Sequence, residues 1–276
     1  MPLIAPIPLL YNRWPPLALT LAAADSVDFG SDAKIDDTGG AALFTTAMWI
    51  RVTTQPAGGE ILLQKRLGST NGWRFWPQAT AGTLSGQQVT SGTDTIYITA
   101  TLPLDTPLLN RWMFLAYVHD GAAGAGLKHK IYHSVGDGIV LADTMTVTTE
   151  GTGAPGTDAA QSMLMGGVLG DYGPFAFWNQ KLLSLADLHE WMLAPLRPVQ
   201  APTILAFPDP NGPGYTDYSG NGLHGVRSGG TWSALPRWLA PDQGRRFWAV
   251  TVPVASVGVP FDTSMQNPTY NTLLRM

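Results

Sequence analysis

Apolar residues along this chain alternate with polar ones in short runs, and Gly, Pro, Asn or Asp interrupts the runs at intervals of about 8–12 residues. That pattern is the mark of half-buried β-strands joined by turns. The clearest run is 112–119, closed by the turn dipeptide Asp120-Gly121. Residues 41–54 carry Phe44, Met48, Ile50 and Val52, and the second half alternates as a strand with one buried face should. Further strands are expected over 27–29, 61–66, 72–78, 95–102, 144–149, 162–165, 173–179 and 204–207. Residues 127–134 and 139–142 flank Gly136-Asp137-Gly138, a hairpin signal. One helix stands out near 184–193. Ser184 is placed to cap it with Asp187 three residues on, Leu185, Leu188 and Met192 share a face, and Pro195 and Pro198 stop it.

The two ends read differently. Pro2, Pro6, Pro8, Pro15 and Pro16 forbid a regular helix or central strand over 1–24, and Pro236, Pro241, Pro253, Pro260 and Pro268 punctuate 231–276. Both segments are too apolar for ordinary solvated tails. They are expected to run as extended arms about a 25–230 domain, with Leu9, Tyr11, Trp14, Phe247, Trp248 and Phe261 as buried anchors. Residues 1–10 hold neither a basic region nor a small-residue cleavage site, so no signal peptide is expected.

Composition sharpens the fold class. Gly and Pro number 31 and 22 of 276 residues, and charged residues make up only 13%. A chain so poor in Glu and Lys does not build long helices, which leaves an all-β protein. A net charge of −4 with no basic cluster argues against nucleic-acid binding. The absence of Cys removes disulfides, thiolate chemistry and Cys-based metal sites. No apolar run is long enough to span a membrane as a helix.

The order of elements resembles a known family. Val27-Asp28-Phe29-Gly30 precedes a strand ending Met48-Trp49-Ile50-Arg51. A Trp-started strand, Trp112-Met113-Phe114-Leu115-Ala116-Tyr117, leads through Asp120-Gly121 to Lys130-Ile131-Tyr132. Met165-Gly166-Gly167 and Gly173-Pro174-Phe175-Ala176-Phe177-Trp178 then lead to the helix, and Asp217-Tyr218-Ser219-Gly220-Asn221-Gly222 follows it. Together these resemble the laminin-G-like, concanavalin A-like domains over about 25–230. The resemblance implies a two-sheet antiparallel jelly-roll sandwich with one short helix. One departure is the Asp-x-Ser-Gly-Asn-Gly piece, which usually lies near the start of such domains and here comes after the helix.

Catalytic candidates are few. The glycosidases of this fold need paired carboxylates. Glu60, Glu150 and Glu190 are the only glutamates, and none has an acidic residue two positions away. His119, His129, His133 and His224 read as solvated or core-edge residues, and Ser219 reads as turn chemistry. No enzymatic activity is expected. The resemblance implies calcium as a ligand, for which Asp120, Asp137, Asp217 and Asn221 are candidates, each also an ordinary turn residue. Trp73, Trp76 and Trp178 are candidate platforms for sugar stacking, although a core or interface role suits any one Trp better.

Two functions from different classes follow. The first is a structural virion protein, resembling at the level of architecture the capsid decoration or cement proteins of tailed bacteriophages. It would be made in the host cytoplasm and lashed by its arms to the major capsid protein and to copies of itself. The alternative is a carbohydrate-binding module or lectin with glycans as its partners.

Overall fold

The computed structural model describes residues 17–36, 43–67, 71–78, 82–89, 95–99, 109–136, 138–152 and 157–236. The expected anchors Leu9, Tyr11, Trp14, Phe247, Trp248 and Phe261 lie outside these residues, as does Asp137. In chain order the strands are β1 (Leu17–Leu21), β2 (Ser26–Asp28), β3 (Leu43–Val52), β4 (Leu63–Leu67), β5 (Asn71–Pro77), β6 (Leu84–Val89), β7 (Thr95–Thr99), β8 (Trp112–Asp120), β9 (His129–Val135), β10 (Leu141–Ala142), β11 (Met145–Thr149), β12 (Leu164–Gly166) and β13 (Gly170–Asn179). The helix α1 (Leu185–Leu193) follows, and then β14 (Ile204–Asp209), β15 (Gly214–Asp217), β16 (Gly225–Ser228) and β17 (Thr231–Ala234).

Every pairing is antiparallel. The front sheet runs β11-β7-β6-β5-β4-β12-β2-β16. The back sheet runs β14-β13-β3-β8-β9-β10, with β1 beside the start of β13 and β17 beside β1. Strand β15 joins the sheets, pairing with β14 on one side and β16 on the other. The protein is an all-β antiparallel sandwich with one short helix. Strands β1 and β17 take the sandwich slightly beyond 25–230 at both ends, because Leu19 and Leu21 are buried in the core and pair with β13.

Side chains from both sheets fill the space between them. Phe44, Trp73 and Phe177 form its centre. The Trp73 and Phe177 rings stack at 6.1 Å, and Phe44 lies 4.4 Å from Trp73. A second core lies behind the back sheet, where Trp49, Trp112, Phe114, Ala176 and Trp178 meet Leu188, Trp191 and Met192 of α1. Trp191 packs edge-on against Trp178 at 5.7 Å. The helix starts where the sequence places it. The Ser184 hydroxyl accepts from the Asp187 N–H, and the Asp187 carboxylate accepts from the Ser184 N–H. Leu185 does not join the apolar face; it is 44% exposed, and Trp191 takes the buried place.

The expected alternation in the second half of 41–54 holds from Ile50 on, with Ile50 and Val52 buried and Arg51 and Thr53 half-buried, but every residue from Phe44 to Ile50 is buried. The back sheet is covered on both faces, so its central strands have no solvent side on which to place polar residues. In β13 the Gly173-Pro174 pair forms a bulge that shifts the register between Tyr172 and Phe175. The bulge returns Phe175 and Phe177 to the inner core and sends Trp178 outward. Between the sheets, the fully buried Lys65 ammonium lies 2.8 Å from Asp36 and 3.0 Å from Asp158, which ties two loops to β4.

Candidate functional site

The front sheet turns one face to the core and the other outward. The register places Val226, Asp28, Leu164, Gln64, Arg74, Gln87 and Ile96 in one row on the outward face, one from each of seven consecutive strands. Their chain neighbours Val27, Met165, Leu63, Phe75 and Tyr97 point inward and are buried. Trp76 and Ser85 are paired in the adjacent row.

The middle of this face is built from planar polar groups. The Arg74 guanidinium lies 3.8 Å above the Trp76 ring, and its Nε donates to Gln87 Oε1. Arg66 Nε donates to Gln64 Oε1 at 3.3 Å, and Gln78 donates to the Ser85 hydroxyl. Gln87, Ser85 and Trp76 are buried and form a floor, while Gln64, Arg66, Arg74, Ile96 and Ile98 are half-buried along it. A stacked, hydrogen-bonded guanidinium loses little freedom when it meets a ligand.

At the β12-β2-β16 end, the same face holds a pocket of about 540 Å³ lined by Ser26, Asp28, Leu164, Val226 and Ser228, with His224 and Arg227 at its margin. Gly225 lets β16 come this close, because a Cβ there would sit 2.5 Å from Val27.

The three indoles expected to stack sugars present no open ring. Trp73 and Trp178 are core residues at 2% and 1% exposure, and Trp76 at 4% is covered by Arg74. Their rings serve packing, and Trp76 also orients Arg74. Three of the calcium candidates, Asp120, Asp217 and Asn221, lie among the described residues, and each serves its own loop. The Asp217 carboxylate accepts from the N–H groups of Leu205, Ser219 and Leu223 and from the Ser219 hydroxyl. Donors on both its oxygens oppose a cation there. The Asn221 amide donates to Thr203 O, and Asp120 accepts from Ala122 N in its turn. Among the described residues no three His, Asp or Glu side chains converge as a metal site.

Of the glutamates, Glu150 pairs with Lys128 at 3.2 Å and accepts from the Tyr97 hydroxyl at 2.7 Å, while Glu60 accepts from Ala57 N. Burial together with the Glu150 contact pushes the Tyr97 hydroxyl up to about 12. His119 and His129 face each other across β8 and β9 with rings 4.7 Å apart, both fully enclosed rather than core-edge. Burial drives His119 down to about 3 and His129 well below the usual imidazole range, with Lys128 adding in the same direction for both. The Tyr117 hydroxyl meets His129 Nδ1 at 2.5 Å.

The row was not singled out from the sequence. Its signal was present, since Gln64/Arg66, Arg74/Trp76 and Ser85/Gln87 occupy alternate positions of three neighbouring strands. Recognising them as one face required the pairing.

No protein-family model and no curated protein matches the sequence. Among solved structures, a candidate carbohydrate-binding protein from Bacteroides ovatus ATCC 8483 is similar, with a TM-score of 0.54 and 14% identity over 80% of this chain. The likeness is one of fold. The chain spans 60% of the length of that protein. The receptor-binding domain of botulinum neurotoxin mosaic serotype C/D aligns over 54% of this chain and 35% of its own at 10% identity, with a TM-score of 0.32. The binding domain of Paraclostridial Mosquitocidal Protein 1 aligns over 66% and 46% at 10% identity, with a TM-score of 0.33.

Proposed function

We propose that the protein is a non-enzymatic glycan-binding sandwich whose front-sheet face receives an oligosaccharide. The observation that carries this reading is the row Gln64-Arg74-Gln87, with Trp76 fixing the guanidinium. Amides and a guanidinium in fixed planes match the paired hydroxyls of a sugar, which accept and donate at once. Adjacent strands stand about 4.8 Å apart, close to the advance of one pyranose along a chain, so the row offers a polar group to successive residues. The fold shared with the candidate carbohydrate-binding protein supports the same reading. Glu150 is engaged by Lys128 and the Tyr97 hydroxyl, and Glu60 by the Ala57 N–H.

The decoration role expected from the arms draws no support from the described residues, and the same holds for capsid partners and a virion location.

The test is calorimetric titration of the full chain with a panel of soluble oligosaccharides. Gln64→Ala and Arg74→Ala should each weaken binding about tenfold, the loss of a hydrogen bond or two, with the thermal midpoint nearly unchanged in Gln64→Ala and lowered in Arg74→Ala, which uncovers Trp76 and takes a donor from the buried Gln87. Unchanged affinity in both variants relative to the unmodified protein, or no binding across the panel, overturns the reading.

A further inference from the structure

The pocket at the Asp28 end has chemistry of its own. Asp28 Oδ1 accepts from Gly30 N at 2.7 Å. An ionised carboxylate has about four lone-pair sites, so capacity remains for two further donors. His224, which also lines the pocket, accepts the Asp217 N–H at Nδ1 at 3.1 Å. With Nδ1 as acceptor, the neutral ring carries its proton on Nε2, and His224 offers a donor. Ser26 and Ser228 supply hydroxyls of either sense, and Leu164 and Val226, the latter 57% exposed, supply apolar surface. Arg227 is held by its Nη1 on the carbonyls of Gly229 and Gly230 and lies 5.4 Å from the Trp232 ring, so it adds positive charge at the margin without reaching across the pocket.

The face ends here. Beyond β16 the ladder passes through β15 to β14, which belongs to the back sheet.

We propose that this pocket seats one neutral pyranose at the end of a glycan chain, with two adjacent ring hydroxyls donating to the Asp28 carboxylate, a third oxygen accepting from His224, and the apolar ring face against Leu164 and Val226. Neutrality follows from the charges present. The Asp28 carboxylate repels an anionic sugar, and the nearby Arg227 charge offsets the carboxylate's pull on a cationic one. The volume fits, since binding pockets for small ligands begin near 300 Å³. The inference takes its ligand class from the proposed glycan function, but its residues are separate from Arg74 and Gln87.

The experiment titrates the ¹⁵N-labelled full chain with a neutral methyl hexopyranoside, a hexuronate and a hexosamine, followed by NMR shifts. The neutral glycoside should perturb amides around Asp28 and Gly225, and the two charged sugars should bind several-fold more weakly. Asp28→Asn keeps the shape and the Gly30 contact and should weaken the neutral sugar about tenfold, as loss of hydrogen bonds to a charged acceptor does. His224→Ala should weaken it less. A charged sugar binding as tightly, full affinity in Asp28→Asn, or no shift near Asp28 overturns the pocket assignment. Oligosaccharide binding that depends on Gln64 and Arg74 while the pocket stays silent overturns this inference and leaves the glycan reading standing. A monosaccharide held by Asp28 with no dependence of oligosaccharide binding on Arg74 does the reverse.

Discussion

The central strands of the back sheet bury apolar side chains on both faces, whereas the front sheet buries them on one and sets planar polar groups on the other, buried on β6 and half-buried at Gln64 and Arg74. In the back sheet, β3, β8 and β13 read Met48-Trp49-Ile50, Phe114-Leu115-Ala116 and Phe175-Ala176-Phe177-Trp178, with aromatic or aliphatic side chains pointing both ways. Helix α1 makes that composition tolerable by covering the far side with Leu188, Trp191 and Met192. In the front sheet, β4 and the Trp73–Phe75 stretch of β5 keep the alternation, with Leu63 and Phe75 inward and Gln64 and Arg74 half-buried outward, while β6 is buried throughout and turns Ser85 and Gln87 to the outer face. The back sheet therefore holds aromatic packing on both sides, and the front sheet holds polar groups on its outer face. The difference lies in what covers each outer face, since the strand pairing is antiparallel in both.

The largest expected effect breaks the covered face. Trp191→Ala removes the ring that packs on Trp178 and Phe114 and should cost about 3–5 kcal/mol, the range for a buried aromatic truncated to Ala. Urea unfolding measures it. A loss below 1 kcal/mol would mean that α1 is not what closes the back sheet.

Acid should act next, at the end of the inner core where β8 and β9 hold His119 and His129. His119 is held neutral by burial, at about 3 against its ordinary 6.5, and His129 is shifted the same way. The unfolded chain therefore binds more protons below pH 6.5. Stability is full above that pH and falls as pH drops toward about 3. For His119 alone the loss between pH 7 and pH 4.5 is about 2–3 kcal/mol. Denaturant curves across this range check it, and a His119→Phe variant should flatten the slope. A pH-independent stability from 7 to 4.5 would show that these imidazoles are accessible to protons.

Loss of the helix cap should be smaller. Ser184→Ala removes the side-chain acceptor for Asp187 N and should lower stability by about 1 kcal/mol, with Ser184→Thr restoring most of it. The smallest effect on stability belongs to the front face. Gln64→Ala should change unfolding by less than about 0.5 kcal/mol, as a surface substitution does, while lowering oligosaccharide affinity. A Gln64→Ala variant as damaging as Trp191→Ala would erase the contrast between the sheets.

Much of the strand map was legible. The Asp120-Gly121 turn, the hairpin around residue 136 and the Ser184 cap are local signals, and the structure places elements at each. Strand β6 was missed because Ser85-Gly86-Gln87-Gln88 holds neither β-branched nor aromatic residues. Gly86 is there for a non-local reason, since a Cβ would meet Tyr117 of β8 at 2.5 Å. The candidate site was less legible. Indoles draw attention as sugar platforms, yet burial assigns Trp73 and Trp178 to the two cores and puts Arg74 over Trp76.

What the sequence by itself determined is what depends on composition and on neighbours a few residues apart: the all-β class, the turns, the capped helix, and the lack of thiolate chemistry. What only the tertiary structure decided depends on residues far apart in the chain. The Asp217 loop, late in the sequence, leads into β16, which pairs with β2 so that Val226 faces Asp28. Gln64, Arg74 and Gln87 become one row through two successive pairings, and His119 meets His129 through another. Strand register is set by burial of a whole face and by distant partners, so a side chain's neighbours across the sheet are fixed only when the sheet is assembled.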